Sequence, residues 1–256
     1  NLKKYVGVVI DIKRNDKILI NKLSQIDNSA ILLDHNKRIP KIKTIISPFL
    51  DKTYKLNKNQ SKLVGEKYCL IPRKYKKNKK KINKIVNNIL INFGFFDSKH
   101  FTLKILNLIN SSSYKKKVTV LIGNNLSLLN KINKNKFHFN LEVHTGLTDL
   151  NDIYKTVDLC IGAGGVGMIE RFLYSIPSIT IMNSNDQYNA LLKAKKKRAT
   201  IVLQYDKNKK FAYKFKNTFE LLINDIKKRK ILSNNAYNFS DTKGGYRVAK
   251  YLLRNQ

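Results

Sequence analysis

The chain has 256 residues, enough to bury a large core and to form one large domain or two smaller ones. A formal charge of +34, from 51 Lys+Arg against 17 Asp+Glu, would suit nucleic acid, an anionic membrane face or an acidic substrate. The basic residues are mostly lysines spread among Asn and Ile, as an AT-rich genome encodes; arginine is scarce and no helix-turn-helix, zinc-finger or RNA-binding aromatic signature occurs, so nucleic acid is not the expected partner.

The chain opens at Asn1 and enters the apolar run Val6–Ile10, a strand, which predicts a chain that begins inside a domain and an incomplete first domain. Lys17–Ile26 reads as a helix, Ala30–Leu33 as a strand ending at Asp34, and Ile45–Ile46 as a third strand before Ser47–Pro48. Asn57–Lys62 is polar and reads as loop. Residues 1–72 form a partial N-terminal domain on this reading, and the Lys-rich residues 73–84 a solvated linker.

A second series fills residues 85–256. Its expected strands are Ile89–Gly94, Val118–Ile122, Phe139–His144, Val157–Ile161, Ser178–Met182 and Thr200–Gln204. The helices between them are Phe101–Ile109, Leu126–Ile132, Leu147–Thr156 with Thr148 as N-cap, one following the Gly162–Gly167 turn, and Asp186–Lys197. Two helices, near Phe211–Lys228 and Ser233–Leu253, close the chain. Strict alternation predicts parallel sheets with right-handed crossovers, so the fold class is α/β with two Rossmann-like domains.

Cys69 and Cys160 are isolated in apolar settings and read as buried thiols in a reducing cytoplasm; His35, His100, His138 and His144 are scattered without metal-ligand spacing. No metal or cofactor is expected. No apolar run approaches membrane-spanning length, so membrane contact is expected to be peripheral at most.

Ligands of open parallel sheets collect beyond the carboxyl ends of the strands. Three loops should leave strands at that edge of the second domain: Asn92–Ser98, Gly162–Gly167 and Asn183–Gln187. Together they offer amides, a hydroxyl, carboxylates and side-chain amides, a mixture suited to a phosphorylated, hydroxyl-rich ligand such as a nucleotide sugar. In the middle loop an apolar strand meets glycines and then a helix, whose N–H groups and dipole favour phosphate. Glu170, about one turn into that helix, could reach hydroxyls of the same ligand. Gly162–Gly167 is also a literal G-x-G-x-x-G, with Asp186 about twenty residues beyond, which keeps a dinucleotide open. Against it, the motif follows several βα units instead of opening the first.

Ile161–Gly165 with Glu170–Arg171 resembles the nucleotide-sugar loop of the UDP-2,4-diacetamido-2,4,6-trideoxy-β-L-altropyranose hydrolases of pseudaminic acid biosynthesis. These are relatives of the peptidoglycan N-acetylglucosaminyltransferase and share its GT-B fold. Ile91–Gly94 with Asp97, Asn185–Gln187, Asp241–Ala249, Val9–Asp11 and Leu32–Asp34 with Arg38–Pro40 fall in the family's order. The resemblance implies a UDP-sugar substrate, with the diphosphate on the amides of Gly164, Gly165 and Val166 and the ribose on Glu170. It implies Asn185 and Gln187 at the sugar or phosphate, and Gly94 and Asp97 in the neighbouring phosphate loop. A monomeric cytoplasmic hydrolase is the leading expectation; a GT-B glycosyltransferase using a UDP-sugar donor, or a non-catalytic binding remnant, is the alternative. The family's catalytic base lies in a glycine-rich loop that has no match here, so no base is assigned. Phe95 stands where the family has a second glycine and is expected to crowd or reshape the phosphate loop. Gly167 replaces a hydroxyl residue, Ile12 and Lys13 replace an aromatic or His, and Asp34–His35 replaces a paired acid.

Overall fold

The computed structural model describes residues 8–11, 17–23, 25, 29–32, 42–50, 55–97, 99–182, 187–206 and 209–254. Its first elements are β1 (Val8–Asp11), α1 (Lys17–Leu23), β2 (Ser29–Leu32), β3 (Thr44–Ser47) and β4 (Ser61–Val64). Then follow β5 (Asn88–Asn92), α2 (Phe101–Asn110), β6 (Lys117–Ile122), α3 (Leu126–Asn133), β7 (Asn140–Thr145), α4 (Asn151–Thr156), β8 (Leu159–Ala163) and α5 (Val166–Leu173). The last are β9 (Ser178–Met182), α6 (Tyr188–Lys196), β10 (Ile201–Gln204), α7 (Lys209–Asn224), α8 (Ile226–Tyr237) and α9 (Gly244–Arg254). The chain divides into two compact units: residues 1–73 with 184–192 and 241–256, and residues 74–183 with 193–240.

The first unit holds a parallel sheet in the order β1-β2-β3-β4. Ala30, Ile31, Ile45 and Ile46 are fully buried, as central strands of a parallel sheet covered on both faces must be. One face packs Ile10, Ile20, Ile31, Ile42, Ile45 and Leu50; the other packs Ala30, Ile46 and Leu63 against Val248 of α9. The C-terminal helix therefore covers the first sheet, whereas the sequence groups it with residues 85–256. β4 falls partly on a segment that reads as loop. Only Leu63 of its four residues is buried, so no apolar run announces this strand.

Backbone fit fixes the start of α9. A Cβ on Gly244 would stand 2.0 Å from the Cys69 carbonyl oxygen, at the end of the 3₁₀ turn Glu66–Tyr68. Arg247 grips Asp241 with both terminal nitrogens at 2.7 and 2.6 Å and donates to the Lys67 carbonyl at 2.9 Å. Gly244→Ala is expected to destabilise the first unit by about 1–3 kcal/mol, the usual cost of overpacking. A thermal melt checks this, and an unchanged transition would show that α9 does not depend on this contact.

The second unit carries six parallel strands in the order β10-β9-β8-β5-β6-β7. β5 therefore lies mid-sheet, with β6 and β7 laid down on one side and β8, β9 and β10 on the other. The buried face of α2, Phe101, Thr102, Ile105, Leu106 and Ile109, follows a helical spacing of three and four. Phe211, Phe215 and Phe219 of α7 line one core with Phe93, Phe101, Ile161 and Ile181. α4 begins at Asn151 rather than near Leu147, where Asp149 Oδ1 accepts from the Asn151 amide at 3.0 Å. The two expected closing helices are three, because the Asp225 side chain caps α8 through Lys228 N at 2.9 Å and ends the preceding helix.

The stretch that reads as a solvated linker packs onto the second unit from Lys74 onward. Tyr75 is 4% exposed, and Asn78 N donates to Leu173 O at 2.8 Å. Lys80 Nζ donates to the carbonyls of Tyr154 and Val157, and burial draws its pKa down to about 8. Cys69 and Cys160 are both buried, as expected. Among the described residues, no helix is long and apolar enough to cross a membrane, and no His, Cys, Asp and Glu group could hold a metal ion.

Candidate functional site

β5, β8 and β9 are short and buried in all but their last residue, so each carboxyl end delivers a loop to a fixed place. Asn92 of β5 pairs with Gly162 of β8, and Gly162 with Thr180 of β9, which brings the three strand ends side by side. Between β5 and β8 the chain reverses its direction of travel across the sheet. That is the switch point at which open α/β sheets bind ligands.

The β5 loop is built as a turn with a cap. Asn92 Oδ1 accepts from Gly94 N at 2.9 Å, and Gly94 takes φ 85°, a conformation that favours glycine. Phe93 stacks on Phe101 with centroids 5.4 Å apart, anchoring the loop in the core. Asp97 is 7% exposed, and its two oxygens accept from Phe101 N at 2.9 Å and Thr102 N at 2.8 Å. The carboxylate expected among the ligand groups thus caps α2; the short acid just before a helix was the signal for that role. Phe95 does not press on the glycine loop. A Cβ on Gly123 would meet the Phe95 ring at 2.6 Å, so this ring lies over the end of β6, on the opposite side of β5 from β8.

The β8 loop is shaped by close approach. A Cβ on Gly162 would fall 2.2 Å from Asn92 O, so β5 and β8 can lie this close only with glycine there. Gly165 precedes α5 in extended conformation, and among the described residues no side chain caps that helix. Met168 N donates to Gly165 O at 2.9 Å, and the amides before it precede the first full turn of α5, where a helix has no intrahelical acceptor for them. By contrast, Asp97, Asn125 and Asp225 supply side-chain acceptors to α2, α3 and α8. Space exists at Gly167, where a Cβ would have only Asn92 Nδ2 near it, at 3.9 Å. This glycine is not forced by packing. Asn92, the first residue of the expected β5 loop, stands between the two loops.

Two residues of α5 back this loop. Arg171 is 2% exposed and donates to Ala163 O from both terminal nitrogens at 3.1 Å and to Thr180 Oγ1 at 2.8 Å. Its Nε is buried without a partner, and among the described residues no carboxylate bonds it. Glu170 is partly buried and accepts from the Tyr154 hydroxyl at 3.0 Å. Burial raises its pKa above the ordinary value, while Tyr154, Arg171 and Lys74 pull it back down.

Of the third loop, Asn185 and Asp186 lie outside the described residues, as do Ser98, Ile12, Lys13, Asp34, His35 and Arg38–Pro40. Gln187 is described; its Oε1 is buried without a hydrogen-bond partner, and it belongs to the first unit. Gly94, Gly164, Gly165, Val166 and Glu170 lie at the β5–β8 crossing or directly behind it. The dinucleotide alternative weakens here, because its glycine motif belongs on the first βα turn. In this sheet that turn is the β5 loop, and Gly162–Gly167 follows the fourth strand.

Two parallel Rossmann-like sheets, the second with its switch point between β5 and β8, match the GT-B glycosyltransferase-like fold. The chain belongs to the family of the glycosyltransferase family 28 C-terminal domain, whose model matches residues 94–249. It is similar to MurG of Acinetobacter baumannii, with TM-score 0.61 and 14% identity, covering 88% of this chain and 66% of that one. It is also similar to the spinosyn rhamnosyltransferase SpnG complexed with thymidine diphosphate, with TM-score 0.62 and 12% identity over 96% of this chain and 73% of that one. An uncharacterized protein of Methanocaldococcus jannaschii is 23% identical over 192 residues, which is 71% of this chain and 40% of that protein. The chain thus spans less than half of its archaeal relative and just under two thirds of MurG.

Proposed function

We propose that the second unit binds the nucleotide diphosphate of a UDP-linked sugar at the β5–β8 crossing, and that the chain serves glycosyl transfer from that donor. The observation that carries this is the uncapped start of α5 behind Gly164, Gly165 and Val166. Bare amides and the positive end of a helix dipole at a switch point suit a diphosphate. They would also stabilise the charge developing on departing UDP. Glu170 accepts hydrogen bonds from the ribose hydroxyls. The family match supports a nucleotide donor, as does the thymidine diphosphate complexed with the structural neighbour SpnG.

Hydrolysis of a UDP-diacetamido-trideoxy sugar is the second reading, and it rests on the Ile161–Gly165 and Glu170–Arg171 motif. Incubating the full chain with that sugar nucleotide separates the two. UDP release without an acceptor supports hydrolysis, none supports transfer, and binding without any turnover across acceptors supports a binding remnant. Binding itself is tested by calorimetry with UDP. Glu170→Ala should weaken binding by roughly 1.5–3 kcal/mol, the worth of a hydrogen bond to a charged group. Unchanged affinity would remove Glu170 from the site.

A further inference from the structure

We propose that Tyr154 is a positioning residue for the nucleotide: its hydroxyl holds the Glu170 carboxylate in the orientation and charge state that receive the ribose. This rests on the ribose reading of Glu170 given above. The Tyr154 hydroxyl donates to Glu170 Oε2 at 3.0 Å, which leaves Oε1 for a ligand hydroxyl. Tyr154 is 1% exposed, so the donor cannot swing away to water. Its ring is wedged between two others, with centroids 5.2 Å from Tyr174 and 6.3 Å from Tyr75. The Tyr174 hydroxyl is engaged elsewhere, on Asn151 Oδ1. Tyr154 is therefore the tyrosine of this cluster that bonds the glutamate.

The charged groups acting on Glu170 are Arg171 of α5 and Lys74, and the neutral phenols of Tyr75 and Tyr174 stand near it in the same cluster. Arg171 spends its hydrogen bonds on Ala163 and Thr180, and Lys74 lies 3.8 Å from Asp149. A partly buried carboxylate whose pKa is raised would lose its charge, and its capacity to accept two hydroxyls, as the pH falls. The tyrosine donor opposes this by favouring the charged form. Removing the hydroxyl should therefore move the acid limit of nucleotide binding to higher pH.

The test measures affinity of the full chain for UDP and for 2′,3′-dideoxyuridine diphosphate across pH 4–8, in the wild type, Tyr154→Phe and Tyr174→Phe. The wild type should prefer UDP. Tyr154→Phe should lose about tenfold of that preference, keep its affinity for the dideoxy compound, and shift its acid limit upward. Tyr174→Phe, which also loses a hydroxyl from the cluster, should behave as wild type. The dideoxy affinity serves as the internal check of an intact fold. Where Tyr154→Phe loses both ligands, Tyr154→Phe in a Glu170→Ala background replaces it; further loss of UDP preference there, with no Glu170 to position, overturns the proposal. An unchanged preference and acid limit in Tyr154→Phe overturns the positioning role and leaves the ribose reading standing. A wild type that does not distinguish the two nucleotides overturns both.

Discussion

Arg171→Met is expected to weaken UDP binding by about ten- to a hundredfold while changing the stability of the second unit far less. The guanidinium is buried, and its hydrogen bonds go to neutral acceptors, Ala163 O and Thr180 Oγ1. Desolvating a charge is costly, so an apolar replacement of similar volume recovers much of what the lost hydrogen bonds contributed. Thr180 Oγ1 also keeps its partner Thr200 Oγ1 at 2.7 Å. Binding has no such compensation. Ala163 is the last residue of β8, and freeing its carbonyl loosens the turn that presents Gly164–Val166. A positive charge behind the anion site also disappears. Losing one charged hydrogen bond at a site costs roughly 1.5–3 kcal/mol, which sets the expected range. Calorimetry beside chemical denaturation decides the matter. A variant that loses stability and affinity in parallel would show Arg171 to be structural alone.

Arg229→Met is expected to act the other way, lowering stability by about 2–4 kcal/mol, the scale of one buried and several partly buried acceptors losing their donor. Arg229 is fully buried and donates to Leu222 O at 2.6 Å and Ile223 O at 3.0 Å, closing the last turn of α7. It also donates to Asn83 O at 2.8 Å and Lys84 O at 2.7 Å, tying the chain before β5 to the helical layer. Four carbonyls lose a donor at once: the bond to Leu222 O is buried, and leaving that acceptor unpaired costs about 1–3 kcal/mol, while the other three are partly buried and lose less. Recovered desolvation offsets only part of that sum. Arg229→Lys should be intermediate, since an ammonium cannot spread over four acceptors as a planar fork can. Denaturant titration checks this, and a midpoint unchanged in Arg229→Met would refute it.

The strands that gather the site are legible because β5, β8 and β9 are rich in apolar residues, as a parallel sheet buried on both faces requires; their order in the sheet is not, since it is set by pairings between distant segments. Alternation with helices then fixed the parallel class, and the loops followed at one edge. β4 escaped notice because burial of a single residue, Leu63, leaves no periodicity. The α8–α9 break was hidden because Gly244 is fixed by the Cys69 backbone, a long-range contact that no local pattern carries. Asp97 read as a ligand because acid and glycine in a strand-to-helix loop suit both ligand binding and capping; here the cap takes both oxygens. Tyr154 and Arg171 act through distant partners, Glu170 and Thr180, which only the fold brings near.

The most direct test of the nucleotide site is a crystal structure of the chain grown with UDP. The diphosphate should lie within hydrogen-bond reach of the amides of Gly164, Gly165 and Val166, with the ribose against Glu170. A nucleotide bound at the opposite edge of the sheet, or with its diphosphate away from the first turn of α5, would contradict the account.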